Sequence, residues 1–165
     1  MHLVTFTSNG ITRTGRLEGE EVVDLAAGGL PAEMTALLEA GVEAAARADG
    51  PRLALAEVRL ESPVLRPPKI LAVGLNYADH VAETGMDRPK FPMIFNKQST
   101  AASGPYAPFH RPKVSEALDY EGELAVVVGR RCRHVPRDRA LDVVAGYCIA
   151  NDVSVRDWQL RVPTM

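Results

Sequence analysis

The acidic run Asp119-Tyr120-Glu121-Gly122-Glu123 leads straight into Leu124-Ala125-Val126-Val127-Val128. The β-branched, apolar tail reads as a buried strand. If the strand extends back through the acidic part, alternation puts Asp119, Glu121 and Glu123 on one face and Tyr120, Gly122 and Leu124 on the other. Positions two apart on a strand are separated by about 6.5–7 Å. Three carboxylates in such a row repel one another unless positive charge sits among them. A divalent cation that prefers oxygen ligands answers that need. An acidic strand end facing water answers it equally well.

Other groups with chemical potential are scattered along the chain. His80 and Glu83 lie at i and i+3 of a helical stretch and so share one face. A carboxylate beside an imidazole fixes its tautomer and makes a general base, although the same spacing is common on solvated helices. Asp152 follows an apolar strand and reads as a binding group at a strand end or as a turn residue. Arg156 and Gln159, again i and i+3, suit a substrate carboxylate through charge-assisted hydrogen bonds, or a plain solvated face. Lys97, after Ile94-Phe95, is open to both readings. The sequence holds no P-loop, no Gly-x-Gly-x-x-Gly phosphate loop and no Gly-x-Ser-x-Gly elbow.

The elements that must position these groups fall into two regions. Residues 1–62 read as a small lobe, with strands at Val4–Thr7, Thr12–Leu17 and Glu21–Leu25 separated by Ser8-Asn9-Gly10 and Glu18-Gly19-Glu20 turns. A helix opened by Pro31 carries Met34, Leu37 and Leu38 and stops near Gly41, and an alanine-rich run continues helical to Ala48. A stiff, proline-rich joint, Ser62-Pro63 to Pro67-Pro68, marks the boundary with residues 63–165. Beyond it, strands are expected at Lys69–Gly74, Met93–Lys97, the acidic segment and Gly146–Ala150. Helices are expected after Asn76, read as an N-cap, as far as Gly85, and over 137–144. Little regular structure is expected from Ser99 to Pro112. An amphipathic piece, Val155–Arg161, is expected to halt at Pro163.

The totals exclude several function classes. The chain has 165 residues, 46% hydrophobic and 24% charged, with a formal net charge of -2. No dense basic run points to nucleic acid, and no apolar stretch is long enough to span a membrane. The N-terminus lacks the layout of a signal peptide. Cys132 and Cys148 form neither a disulfide framework nor a zinc spacing, which fits reduced thiols in a cytoplasmic protein.

Taken in order along the chain, these segments resemble the fumarylacetoacetate hydrolase family. They are Gly74-Leu75-Asn76-Tyr77-Ala78-Asp79-His80, Glu83, Phe95-Asn96-Lys97, Asp119 to Leu124, and Asn151-Asp152-Val153-Ser154-Val155-Arg156-Asp157-Trp158-Gln159. The resemblance runs from about Arg66 onward, and residues 1–60 look like the small N-terminal domain of bacterial members. It implies an α+β, mostly β chain: a small N-terminal α/β domain followed by part of a mixed β-roll, usually in a homodimer. It further implies that Glu121, Glu123 and Asp152 hold Mg²⁺ or Mn²⁺, and that His80 and Glu83 are the acid–base pair. Arg156 and Gln159 would hold the oxo-acid end of a substrate, with Lys97 near the pocket.

The implied activity is metal-dependent hydrolysis of a C–C bond in an acylpyruvate-like or fumarylacetoacetate-like acid. The alternatives are isomerisation or decarboxylation of 2-oxo or 2-hydroxy-diene diacids, or a truncated chain without catalysis. Gly122 stands where the family usually has a larger residue. The family's catalytic domain also continues past the position matching Met165, into a Gly-Lys-Ser segment whose lysine helps bind substrate. A truncated or split chain is therefore expected.

Overall fold

The computed structural model describes residues 1–159 and residue 161. The N-terminal strands form where the turns require them. β1 (His2–Ser8) and β2 (Ile11–Glu18) make a hairpin whose turn residues, Asn9 and Gly10, both have positive φ, 50° and 76°. That is the turn whose twist matches paired strands, and Asn-Gly is its preferred sequence. β3 (Glu21–Asp24) follows through Gly19, at φ 59°. Next come helices α1 (Met34–Ala40) and α2 (Val42–Arg47), and then β4 (Arg52–Ala54) and β5 (Arg59–Leu60). The five strands form one sheet in the order β4-β3-β2-β1-β5. The first helix starts at Met34 rather than at Pro31, and β4 and β5 were not anticipated.

One face of this sheet packs on the helices and buries Val23, Leu25, Met34, Leu37 and Ala45. Each large apolar side chain removed from water there contributes about 1.5–3 kcal/mol. Buried Thr14 and Asp24 both find hydrogen-bond partners. Thr14 donates its hydroxyl to Pro31 O at 2.7 Å, and Asp24 accepts from Ala27 N at 2.9 Å. The joint is docked onto this lobe, because Val64 packs against its core and Thr5 donates to Pro63 O.

Beyond the joint come β6 (Ile70–Gly74), α3 (Ala78–Thr84), β7 (Met93–Lys97), β8 (Leu118–Asp119), β9 (Gly122–Val128), β10 (Val144–Asn151), β11 (Ser154–Val155) and α4 (Arg156–Gln159). They form three antiparallel pairs, β6–β7, β9–β10 and β8–β11. The region is thinly covered. Among the described residues beyond the first lobe only Ser115 is buried. Leu124, Val126, Val128, Tyr147 and Ile149 stand on one exposed face of the β9–β10 pair. Strands that are apolar on both faces belong in a sheet covered on both sides.

The helix expected over 137–144 forms over Arg137–Val143 as a 3-10 helix, and two local expectations are corrected. Arg139 pairs with Asp142 at 3.0 Å, an i, i+3 contact that the three-residue turn brings into line. The N-cap of α3 is Tyr77, not Asn76, and no side chain caps it. The last helix begins at Arg156 and runs to Gln159, and the expected stop at Pro163 lies outside the described residues.

Candidate active site

The acidic segment lies in one continuous ladder. β9 pairs with β10 so that Glu123 faces Ala150 and Gly122 faces Asn151, and β8 pairs with β11 so that Asp119 faces Ser154. Both pairings keep the same register, and Asp152 N donates to Glu121 O at 2.8 Å between them. Between these two pairings the ladder is interrupted at Tyr120 and Glu121. There the backbone N–H groups are taken by side-chain oxygens, Tyr120 N by Asp119 Oδ1 at 2.9 Å and Glu121 N by Asn151 Oδ1 at 3.1 Å. Short polar side chains compete with a ladder in this way.

Residues opposite one another in an antiparallel pair share a face, as do positions two apart on one strand. Asp119, Glu121, Glu123 and Asp152 therefore lie together on the half-buried side, while Tyr120, Gly122 and Leu124 turn to the exposed side. Gly122 faces open space, so the small residue there vacates nothing the carboxylates use.

Positive charge reaches this face from two other elements. Lys97, at the end of β7, places its Nζ on Asp152 Oδ1. Arg156, opening α4, donates through Nε to Asp119 Oδ2 at 2.8 Å and through Nη1 to Glu121 Oε1. Its Nη1 also donates to Gln159 Oε1 at 3.0 Å. The Arg156 guanidinium, and secondly the Tyr120 N–H, hold the Asp119 carboxyl below its usual range. Burial works against the charge on Arg156. The Asp119 hydrogen bond and the Glu121 carboxylate outweigh burial and hold the guanidinium above its ordinary value.

The donor set fits a hard divalent cation, since all its members are carboxylates. Four carboxylates against two cations leave two negative charges, the charge that one such ion would neutralise. Among the described residues no three His, Cys, Asp or Glu side chains converge closely enough to hold a metal. Lys97 and Arg156 sit on Asp152 and Glu121 instead. Loading the ion would require those two carboxylates to turn away from their cationic partners.

The expected acid–base pair is less organised. His80 and Glu83 both lie on α3 and are exposed, and among the described residues no hydrogen bond joins them. What ties α3 to the carboxylates is a residue the sequence reading passed over. Tyr77, its N-cap, accepts a hydrogen bond at its hydroxyl from Leu124 N at 3.1 Å, next to Glu123. The signal was present, because a Tyr hydroxyl beside an apolar strand seeks a polar partner. A second missed anchor is buried Ser115, which donates to Asp157 Oδ1 at 2.6 Å and accepts from Ala117 N at 3.0 Å. It fixes the segment before β8 to the helix that carries Arg156.

Residues 69–164 match the fumarylacetoacetate (FAA) hydrolase C-terminal family, and residues 1–63 match the Rv2993c-like N-terminal family. The chain belongs to the fumarylacetoacetate hydrolase family. It is 42% identical to human mitochondrial oxaloacetate tautomerase FAHD2A over 80% of this chain and 44% of that protein. The solved structure of 5-carboxymethyl-2-hydroxymuconate delta-isomerase from Mycobacterium smegmatis superposes with a TM-score of 0.74 at 35% identity, covering 96% of this chain and 57% of that one. Maleylpyruvate hydrolase from Sphingobium sp. SYK-6, solved with manganese(II) and pyruvate, superposes with a TM-score of 0.72 at 32% identity, covering 94% and 60%. The chain spans about half the length of the curated relatives it matches. The fold is thus mostly β with few helices, as expected. No helix among the described residues is long and apolar enough to cross a membrane.

Proposed function

We propose that this chain carries the metal-binding half of an enzyme acting on small 2-oxo or 1,3-dioxo acids, with hydrolysis of a C–C bond as its reaction. One observation supports this above the others: Glu121, Glu123 and Asp152 share a face with excess negative charge, within reach of Lys97 and Arg156. Glu121, Glu123 and Asp152 would hold Mg²⁺ or Mn²⁺, and a related hydrolase has been solved with manganese and pyruvate. Bound there, such an ion would supply electrostatic stabilisation of negative charge developing beside a carboxylate.

The chain's own residues have separate tasks in this reading. Arg156, steadied by Gln159, orients the acid end of the substrate through its planar fork. Lys97 offsets charge at Asp152 and meets the substrate when it arrives. His80 takes a proton from water at an imidazole nitrogen, and Glu83 on the same helical face stabilises the imidazolium. Tyr77 holds that helix against the carboxylate strand.

Isomerisation is the second reading, favoured by the names of two relatives, a tautomerase and an isomerase. It uses the same carboxylates and the same base but no attacking water. The two readings share a homodimeric, cytoplasmic protein, and free Cys132 and Cys148 suit a reducing compartment. In the whole protein, Glu123→Ala should remove Mg²⁺- or Mn²⁺-dependent turnover of acylpyruvates and of 2-hydroxy-diene diacids alike. Activity unchanged by that substitution would end both readings.

A further inference from the structure

Beyond the first lobe a single described residue is buried, and it is a serine: Ser115, at 4% exposure, in the segment before β8. A hydroxymethyl group buries almost no apolar surface, so hydrophobic burial does not account for its place. Its hydrogen bonds do. Ser115 N donates to Pro112 O at 3.2 Å, and Ser115 O accepts from Arg111 Nη1 at 2.8 Å. Its hydroxyl accepts from Ala117 N at 3.0 Å and donates to Asp157 Oδ1 at 2.6 Å. The bond to Ala117 is the ordinary local turn that serines make. The bond to Asp157 is not local, since it joins positions 42 residues apart.

Those two bonds close a ring around the start of α4. Ala117, whose N–H is held by the serine, accepts Arg156 N at its own carbonyl at 2.9 Å, and Asp157 is the next residue along α4. The neighbouring pairs of the ladder are Val155 with Leu118 and Ser154 with Asp119. Arg156 is thus gripped at its backbone by the Ser115 segment. At the far end of its side chain, Nε lies on Asp119 Oδ2 at 2.8 Å and Nη1 on Glu121. Asp119 is not one of the three proposed metal ligands, so only the Glu121 contact is given up when that carboxylate takes an ion. With backbone and Nε still held, Nη1 is then free for an incoming carboxylate.

We infer that Ser115 is a positioning residue: through Asp157 and Ala117 it holds Arg156 beside Asp119, where the guanidinium meets a substrate carboxylate once Glu121 is released. The inference rests on the oxo-acid reading given above. Ser115 acts through Arg156 and takes no part in proton transfer.

The test is a double-mutant cycle on pyruvate binding by the whole protein loaded with Mn²⁺, measured by calorimetry. Ser115→Ala should weaken pyruvate binding about tenfold, the factor of one charge-assisted hydrogen bond, and leave Mn²⁺ affinity as in wild type. Asp157→Ala, which removes the serine's partner, should give the same selective loss. In an Arg156→Gln background Ser115→Ala should cost nothing further, since the group it positions is gone. Wild-type pyruvate binding in both single variants, or a tenfold loss that persists in Arg156→Gln, overturns the positioning role and leaves the oxo-acid reading standing. Joint loss of Mn²⁺ and pyruvate binding in both variants also overturns it, because Ser115 and Asp157 then hold the whole carboxylate face rather than Arg156. No pyruvate bound by Mn²⁺-loaded wild type overturns the oxo-acid reading and the positioning role with it.

Discussion

Lys97→Met removes the ammonium group from Asp152 and leaves the carboxylate face with one cation. Both side chains are partly covered, at 29% and 14% exposure. A charge-assisted hydrogen bond contributes about 1.5–3 kcal/mol when shielded, and an exposed ion pair about 0.2–1. With Lys97 nearly a third exposed, screening brings the pair to about 1.5 kcal/mol. Asp152 then faces Glu121 across the ladder with no cation of its own, and like charges directly opposite add several tenths more. The expected loss without metal is about 2 kcal/mol, or roughly 4–8 °C in Tm for a chain of this size. In saturating Mn²⁺ the ion takes over the neutralising role, so the loss should shrink below about 0.5 kcal/mol. With no ammonium to displace, Mn²⁺ should also bind the variant several-fold tighter. Urea unfolding of both proteins, with EDTA and with Mn²⁺, measures all of this. Equal losses under the two conditions, or no loss without metal, would refute the idea that lysine and ion compete for one carboxylate.

Two further substitutions probe what surrounds that face. Tyr77→Phe removes the acceptor for Leu124 N, so hydrogen exchange at that amide should speed up several-fold, with a stability loss of about 0.5–1 kcal/mol. Unchanged protection would mean that the helix is not held there. Asp119→Asn tests the acid limb of stability. The Asp119 carboxyl is held below its usual range by Arg156, so its contribution is present above about pH 4 and fades as pH falls through the lower folded value. The variant should show a flatter stability–pH slope below about pH 4 in urea titrations. A slope identical to wild type would remove Asp119 from the Arg156 network.

How much of this was legible beforehand depended on how local each cause is. The β1–β2 hairpin follows from Asn9-Gly10, whose preferred conformation is the one adopted, and Met93–Lys97 carried its own strand pattern. The shared face of Glu121 and Glu123 follows from spacing alone. The break at Tyr120 does not, because it needs the Asn151 side chain, thirty residues away, to capture an amide. Asn76 has the chemistry of a cap, yet the chain starts the helix at Tyr77, whose hydroxyl is engaged by a strand far along the sequence. β4 and β5 are three and two residues long and exist through pairing with β3 and β1, so neither shows a period to detect. The order of motifs gave away the family, whereas the partners of Lys97 and Arg156 required coordinates.

Coordination of one divalent ion by Glu121, Glu123 and Asp152 is tested most directly by metal binding. Mn²⁺ titration followed by electron paramagnetic resonance should show one site per chain in wild type. That site should be absent or at least about a hundredfold weaker in Glu123→Gln and in Asp152→Asn, two residues held on one face by opposite strands. Wild-type affinity retained in both variants, or no Mn²⁺ bound by the wild-type protein, would contradict it.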